Sequence, residues 1–329
     1  MSTEGELRPA LSVVIPVLNG APDLIECLRS IQRQTEPAAG YEVLVVDGGS
    51  TDDTRQVAEA EGARVVSNPF RKAEPGVAVG VRAARGRFVT VMAADNRMRG
   101  TEFMTRILEP FADDAVAAAF PRVVSTAEDG FVNRYFNRYS DPFNHFVYGS
   151  RSTSLDVMLR DGRTLLRPTA ADHPLLAMAQ GCTVRAETVY QDAPEEADDV
   201  MAILSLVEAG GALAIVAGAE LEHHHAAGPR SLYRKYRRRT QEALTSQQGF
   251  MRRQTQLSRA RRVRRWLWVP YSASVTAPVL HGVWLAVRNR DAAALFHPVV
   301  NSVVFAAVMV GSAAAVVQRV TQPQAPADV

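Results

Sequence analysis

Residues 41–54 read YEVLVVDGGSTDDT and contain a strand, a turn and the start of a helix. The apolar, β-branched run that begins at Tyr41 is typical of a strand buried on both faces. The strand ends at Asp47, and the Gly-Gly pair after it predicts a tight turn. The following Ser-Thr-Asp is typical of a helix cap, so a helix is expected to begin there. This succession predicts an α/β fold.

The same succession of strand and helix recurs on both sides of this stretch. Further strands are predicted at Leu11–Val17, 63–68 (ARVVSN), 87–95 (RFVTVMAAD) and 211–222 (GALAIVAGAELE). Helices are predicted between them, and another over DDVMAILSLVEA, residues 198–209. Short strands that alternate with helices favour a parallel sheet with crossover helices on both of its faces.

Composition limits the class of protein. The 329 residues allow one large domain with an appendage, and the net charge is only +2. Cys27 and Cys182 lie far apart without metal-ligand spacing, so a disulfide framework and a zinc site are both unexpected. The first ten residues, MSTEGELRPA, lack the basic and apolar regions of a signal peptide. The catalytic part is therefore expected in the cytoplasm.

The C-terminal part is strongly apolar. Residues 266–287 and 292–317 hold no charged side chain, and each run is about as long as the ~20 residues that span a bilayer. Trp266 and Trp268 suit a membrane interface, and RRVRR at 261–265 marks that end as cytoplasmic. Two transmembrane spans and one re-entrant or in-plane hairpin are both consistent with this pattern. A buried helical hairpin of a soluble protein is the third interpretation.

Arg234 to Arg265 is strongly basic, with twelve Lys and Arg against the single acid Glu242. The stretch is interpreted as a solvated helix face, a clamp for a diphosphate, or a polybasic stripe on anionic lipid. A diphosphate contact is predicted for Arg234 and Arg238, and lipid contact for the part nearest the apolar segments. Nucleic acid is not expected, since aromatic residues are few and no binding module precedes the stretch.

Two acids end predicted strands and should share one crevice. Asp47 follows one strand and Asp95 another, and open α/β sheets bind ligands at the carboxyl edge of their strands. Asp47 is suited to hydrogen-bond a base or a ribose. His223, His224 and His225 follow the last predicted strand, either as a chance loop triplet or as metal ligands. The aromatic segment at 131–149 predicts either a folded insertion or an amphipathic surface that meets lipid.

Four segments, in this order, resemble the family 2 glycosyltransferases of GT-A fold: VVIPVLNG, VVDGGSTDDT, AARGRFVTVMAADN and DDVMAILSLVEAGG. The resemblance covers about Leu11 to Gly211. The remainder, with HHHAAGPRSLYRKYRRR at 223–239, resembles bacterial membrane-associated members that build exopolysaccharide or lipid-linked glycans, the succinoglycan glucosyltransferase type. The family resemblance implies a Rossmann-like, mixed but mostly parallel sheet flanked by helices. A transmembrane or re-entrant hairpin is expected to follow this sheet.

The resemblance also implies roles for individual residues. The nucleotide is expected to border Pro16, Val17, Asn19, Asp47 and Gly48. Ala94 and Asp95 fall on the end of the family's Asp-x-Asp motif, whose last acid holds Mg²⁺ or Mn²⁺ against the donor diphosphate. Ala93 stands where the first acid of the motif would be, which puts the affinity for metal in question. His224 or His225, slightly favoured over His223, could replace that acid, and Asn96 could offer a neutral oxygen.

The catalytic base implied by the resemblance is Asp199, which falls on the second acid of the family's Glu-Asp pair. A carboxylate beside the donor can take the proton of the acceptor hydroxyl as the sugar carbon is attacked. Acids at a helix start are also ordinary, because they favour the helix dipole. A structural role for Asp198 and Asp199 is therefore the alternative interpretation.

Together these features predict an inverting enzyme that moves a sugar from a UDP- or GDP-sugar to a lipid-linked or glycan acceptor at the cytoplasmic face of the cell membrane. A catalytically silent, nucleotide-sugar-binding scaffold is the alternative, motivated by Ala93. A processive synthase is disfavoured, because two short spans form no channel and no Gln-x-x-Arg-Trp motif is present. The expected domains are 1–230 (catalytic), 231–265 (basic linker) and 266–329 (membrane anchor), and no oligomeric state is indicated.

Overall fold

The computed structural model describes residues 8–149, 164–166, 176, 178–190, 194, 197–226, 228–245 and 259–321. The chain forms two compact units. The sheet unit comprises Met1–Thr126 and Leu155–His224, and the helical unit comprises Ala127–Ser154 and His225–Val329. The helical unit thus takes in the basic and apolar C-terminal segments together with the aromatic segment at 131–149.

One mixed sheet organises the sheet unit. Its described strands follow the order β3-β2-β1-β4-β8-β6-β9-β5, and β7 pairs with β9. The first four strands in that order run parallel, whereas β8 is antiparallel to both β4 and β6. The strands are β1 (Leu11–Val17), β2 (Tyr41–Asp47), β3 (Arg64–Ser67), β4 (Phe88–Met92), β5 (Asn96–Met98), β6 (Val116–Val124), β7 (Leu165–Leu166), β8 (Gln180–Arg185) and β9 (Ala212–His223).

Helices cover the sheet and build the helical unit. The described helices are α1 (Ala21–Gln32), α2 (Thr54–Ala60), α3 (Ala73–Ala83), α4 (Phe103–Leu108), α5 (Phe131–Tyr139), α6 (Pro142–Tyr148), α7 (Asp199–Glu208), α8 (Pro229–Thr245), α9 (Arg259–Ala273), α10 (Thr276–Asn289) and α11 (His297–Thr321). The first four and α7 belong to the sheet unit. The predicted fold class and the strand and helix order from Leu11 to Gly211 are confirmed.

Alternation along β1 divides the core of the sheet unit into two layers. Val13 and Ile15 pack in the layer that contains α1, whereas Val14 packs in the layer that contains α3. Successive side chains of a strand point to opposite faces, so a strand covered on both faces is apolar at most positions. The continuous apolar runs in the sequence have this physical cause.

The contact between α3 and the sheet is close at Gly80. A Cβ atom at this position would overlap Cγ1 of Val14 and lie 2.8 Å from Cγ2 of Val46. We expect Gly80→Ala to lower the free energy of unfolding by about 1–3 kcal/mol, because the helix must move away from the strands. Urea unfolding measures the loss. If Val14 causes it, Val14→Ala should cost less in the Gly80→Ala background than alone, and strict additivity would contradict this explanation.

The first apolar segment does not form the continuous helix that a transmembrane span at 266–287 requires. Helix α9 ends at Ala273 and α10 begins at Thr276, with Val275 at a φ of 55° between them. Pro278 favours this break, because proline fits the first turn of a helix and cannot continue one from before. The expectation of two spans is corrected accordingly. Among the described residues, one helical stretch, Ala292–Gln318, is long and apolar enough to cross a membrane, and a soluble protein's core helix can have the same character.

Candidate active site

The loops after β1 and β2 are tied together by hydrogen bonds. The Gly48 amide donates to the Val17 carbonyl at 2.8 Å, and the Asn19 amide donates to Oγ of Ser50 at 2.8 Å. In return, Oδ1 of Asn19 accepts from the Thr51 amide at 2.8 Å. The side chain of Asn19 therefore joins the two loops, a positioning role beyond the border contact predicted from the sequence.

Asp47 is buried at the carboxyl end of β2. Its Oδ1 accepts from the Ser50 amide at 2.9 Å, and its Oδ2 lies 3.2 Å from the guanidinium of Arg55. Burial raises the pKa of Asp47, but the Ser50 hydrogen bonds and Arg55 outweigh this effect and hold the pKa below its usual value. The site thus keeps an ionised carboxylate beside the joined loops.

A small, partly open cleft lies at this edge of the sheet. Three of the residues predicted to border the nucleotide line it, namely Pro16, Val17 and Gly48. The other lining residues are Leu18, Asn68, Arg71, Lys72 and Ala73.

The sequence reasoning missed the three polar residues that follow β3. Asn68 shapes their loop, since its Nδ2 donates to the Lys72 carbonyl at 2.9 Å and its Oδ1 accepts from the Phe70 amide at 3.1 Å. A guanidinium nitrogen of Arg71 lies 3.2 Å from the position that a Cβ of Gly49 would take. The signal was available, because SNPFRK follows a strand parallel to β2 and ends at the same edge of the sheet.

Asp95 lies in the turn between β4 and β5. Its carbonyl accepts from the His224 amide at 3.0 Å, and its Oδ1 lies 3.8 Å from Nε2 of His223. That Oδ1 is buried and accepts no hydrogen bond from the described residues. Oδ1 of Asn96 already accepts from the Ala93 amide at 2.9 Å, so the oxygen proposed as a neutral ligand serves to shape the turn.

The three histidines occupy different surroundings. His223 pairs with Asn96 in the β5–β9 ladder and brings its ring towards Asp95. Nε2 of His224 lies 3.9 Å from a carboxylate oxygen of Glu222. His225 belongs to the helical unit, where its ring stacks on a phenylalanine of α5 at a centroid distance of 4.3 Å. The predicted ligands His224 and His225 stay a prediction, and the distance to Asp95 favours His223, the third candidate of the triplet.

The two acids at the start of α7 are Asp198 and Asp199. Oδ1 of Asp198 accepts from the amides of Val200 and Met201 at 2.9 and 3.1 Å, so this side chain caps the helix. The structural interpretation therefore holds for Asp198. Asp199 is the first residue of α7, and its side chain lies outside the described residues.

The two arginines predicted to contact the diphosphate lie on α8 in the helical unit. Both Arg234 and Arg238 are exposed, and Nε of Arg238 lies 3.7 Å from a carboxylate oxygen of Glu242. Exposed pairs at this spacing are worth only a few tenths of a kcal/mol, about 0.3–0.5. Both guanidinium groups are therefore accessible to an anion, and their contact with a diphosphate stays a prediction.

Comparison with known proteins gives three sequence similarities. Residues 12–169 match the model of glycosyl transferase family 2. The chain is 50% identical over 50 residues to glycosyltransferase AglE of Haloferax volcanii, covering 15% of this chain and 16% of that protein. It is 35% identical over 107 residues to a PGL/p-HBAD biosynthesis glycosyltransferase of Mycobacterium tuberculosis, covering 30% and 40% respectively. The matches thus span less than half the length of these relatives.

A solved structure extends the similarity over most of the chain. The mannosyltransferase PcManGT from Pyrobaculum calidifontis, solved in complex with GDP-mannose and Mn²⁺, superposes with a TM-score of 0.56 at 19% identity. The superposition covers 94% of this chain and 87% of that protein, which shows a common fold. Residues 12–169 are thus identified as a glycosyl transferase family 2 domain, and the sheet unit that contains most of them has the GT-A fold.

Proposed function

We propose that the chain transfers a sugar from a nucleoside diphosphate donor to a membrane-held lipid-linked or glycan acceptor and inverts the anomeric centre. The cleft at the ends of β1, β2 and β3 carries this proposal. The cations Arg71 and Lys72 line it together with the apolar Pro16 and Val17. The ionised, buried Asp47 directly precedes Gly48, which also lines the cleft. An aromatic base stacks on apolar groups and offers N–H groups to a carboxylate, and phosphates attract cations.

The residues at Asp95 fit a divalent cation. A buried carboxylate oxygen without a hydrogen bond from the described residues faces the imidazole of His223, and both atom types bind such ions. Among the described residues no group of three or more His, Cys, Asp or Glu side chains could hold a metal. Donor oxygens and water would therefore complete the shell, as is common for Mg²⁺ and Mn²⁺. When bound, the ion supplies positive charge that offsets the charge of the leaving diphosphate.

The remaining steps fall to residues of the chain. Asp199 accepts the proton of the acceptor hydroxyl as its oxygen attacks the anomeric carbon and the bond to the diphosphate breaks. A single displacement of this kind inverts that carbon. Asp198 positions the base by capping the first turn of α7. Asn19 and Ser50 hold the two loops that border the donor.

The apolar C-terminal part supports an acceptor that lives in the membrane and a location at the cytoplasmic face of the cell membrane. One stretch, Ala292–Gln318, has the length and composition of a membrane helix. A silent nucleotide-sugar-binding scaffold is the second candidate, and Ala93 in place of an acid favours it. Both candidates would bind a nucleotide sugar in the donor cleft, but only the first would transfer the sugar.

Nucleotide affinity tests the cleft. We expect Asp47→Asn to weaken the binding of UDP or GDP about 10- to 100-fold, the range of one hydrogen bond to a charged group. Calorimetric titration with Mn²⁺ present measures the change. Asp53→Asn is the matched control, because this exposed acid makes no capping bond at the start of α2. Equal affinities for wild type and both variants, with unchanged melting temperatures, would contradict the assignment of the base subsite.

A further inference from the structure

The helical unit holds a polar cluster within an otherwise apolar core. His297 of α11 is fully buried, and its two ring nitrogens lie 2.5 Å from the Tyr135 hydroxyl and 2.7 Å from the Tyr271 hydroxyl. The Tyr271 hydroxyl also lies 2.7 Å from Nδ1 of His281. Asn301 is equally buried and accepts from the hydroxyl of a buried serine of α9 at 3.3 Å. Polar side chains thus join α5, α9, α10 and α11 on their inward sides.

The outward sides of the same helices are apolar. Trp266, Leu280 and Val287 are 79%, 70% and 75% exposed. We call this surface the apolar face. Its further members, all more than one third exposed, are Leu267, Val279, Val283, Trp284, Val299, Met309, Val310, Val316, Val317 and Val320. Water-soluble proteins bury such side chains and seldom expose a patch of this extent. Helices with apolar outward side chains and buried polar side chains that bond to one another are instead typical of proteins that contact lipid.

The exposed arginines beside the apolar face indicate which kind of lipid surface it would contact. Arg259, Arg262 and Arg264 are exposed on the first turns of α9, directly before Trp266 and Leu267 of the apolar face. Cations that adjoin an aromatic and aliphatic surface suit a bilayer with anionic headgroups, where arginine meets phosphate and tryptophan lies at the interface. A protein partner or a second copy would not require this basic border.

The packing of α8 against α11 decides between crossing the bilayer and lying in its surface. A Cβ at Gly311 would be 2.7 Å from the Arg237 carbonyl, and Nε2 of Gln241 donates to Oε1 of Gln318 at 2.9 Å. Helix α8 therefore runs along the C-terminal half of α11. It also carries four exposed arginines, namely Arg234, Arg237, Arg238 and Arg239. A crossing α11 would draw these charges into hydrocarbon, which is costly.

The lengths of the other two apolar helices also argue against crossing of the bilayer. Helices α9 and α10 have 15 and 14 residues. At 1.5 Å per residue each is about 22 Å long, which is shorter than the ~30 Å hydrocarbon core. Neither helix could cross the bilayer alone. Both can lie at its surface with one face immersed.

We propose that the helical unit binds an anionic bilayer in the plane of its surface, with the apolar face immersed and α11 not crossing. The proposal rests on the proposed function only for the location of the acceptor. It goes further in naming the lipid, the side chains that contact it and the topology. Both ends of the chain then lie on the same side of the membrane.

Flotation of the purified full chain with preformed phosphatidylcholine vesicles, with or without phosphatidylglycerol, tests the lipid contact. We expect binding that depends on phosphatidylglycerol and weakens with salt. Replacing Arg259, Arg262 and Arg264 by Gln should reduce binding on the order of 100-fold at low salt. The double variant Leu280→Arg/Val283→Arg should reduce it at least about tenfold, whereas the matched control Leu280→Met should bind like wild type.

Three results would overturn the proposal. One is vesicle binding that ignores both headgroup charge and the Leu280→Arg/Val283→Arg change. Another is a stable lipid-free dimer that this double variant abolishes, with no vesicle binding by the wild type. The third comes from reporter fusions at the two ends of the chain, if they lie on opposite sides of the cell membrane. Nucleotide affinity separates the two proposals, because loss of lipid binding with intact UDP or GDP binding would leave the proposed function standing.

Discussion

Replacing Asp199 with Asn should lower kcat by about 10²- to 10⁴-fold, the contribution of a positioned general base. The amide keeps the size of the side chain and the start of α7 but cannot accept a proton from the acceptor hydroxyl. Donor affinity should stay unchanged, because the base acts on the acceptor. The kcat is measured by the release of nucleoside diphosphate with acceptor present. The affinity for the donor site is measured by calorimetric titration with the nucleoside diphosphate product.

Asp198→Asn is the matched control for this experiment. Asparagine caps helices about as well as aspartate, so the hydrogen bonds to the amides of Val200 and Met201 should persist. We therefore expect near-wild-type kcat and an unchanged melting temperature. The reverse pattern, with Asp198→Asn inactive and Asp199→Asn active, would exchange the roles of the two acids. Wild-type turnover in both variants would show that neither of these two acids of α7 is the catalytic base.

The second large effect is expected at Asp95. Asp95→Asn should weaken the Mn²⁺-dependent part of donor binding by at least about tenfold, because the amide removes the negative charge that a hard cation requires. Titration of Mn²⁺ at a fixed nucleotide concentration measures this part by itself. Asp114→Asn is the control, since its carboxylate is exposed and pairs with Arg185.

Ala93→Asp tests the same site in the opposite direction. A carboxylate at this position should raise Mn²⁺ affinity, because a second acid joins Asp95. His223→Ala should lower it, since His223 is the histidine whose ring lies 3.8 Å from the Asp95 carboxylate. If Mn²⁺ leaves nucleotide affinity unchanged in wild type and in Ala93→Asp alike, the metal site is refuted.

The parallel half of the sheet could be predicted from the sequence because local patterns of apolar residues and turns determine its strands. Strands β1, β2 and β4 are covered on both faces, so each is a mostly apolar run that is followed by a turn or loop. The positions of Asp47 and Asp95 follow from this, since parallel strands end at one edge of the sheet. Asn68, Arg71 and Lys72 obey the same rule, since the predicted strand before them ends at the same edge of the sheet, but none of them is an acid.

Other features depend on contacts between distant parts of the chain. The approach of His223 to Asp95 requires β5 and β9 to pair antiparallel, in a register that no local pattern reveals. The break between α9 and α10 is suggested by Pro278, but its position depends on Val275, whose φ is positive. Hydropathy alone identified 292–317 as a possible span, whereas the neighbouring arginines of α8 become visible only in the packed helical unit.

Turnover of nucleotide sugars by the unmodified full chain is the most direct test of the central claim. The chain is incubated with Mn²⁺, phosphatidylglycerol-containing vesicles loaded with membrane lipid extract, and a panel of UDP- and GDP-sugars, and the release of nucleoside diphosphate is followed. We predict release from at least one donor, dependent on the extract and on Asp199. Tight nucleotide binding without release from any donor would contradict the account and identify the chain as a silent scaffold.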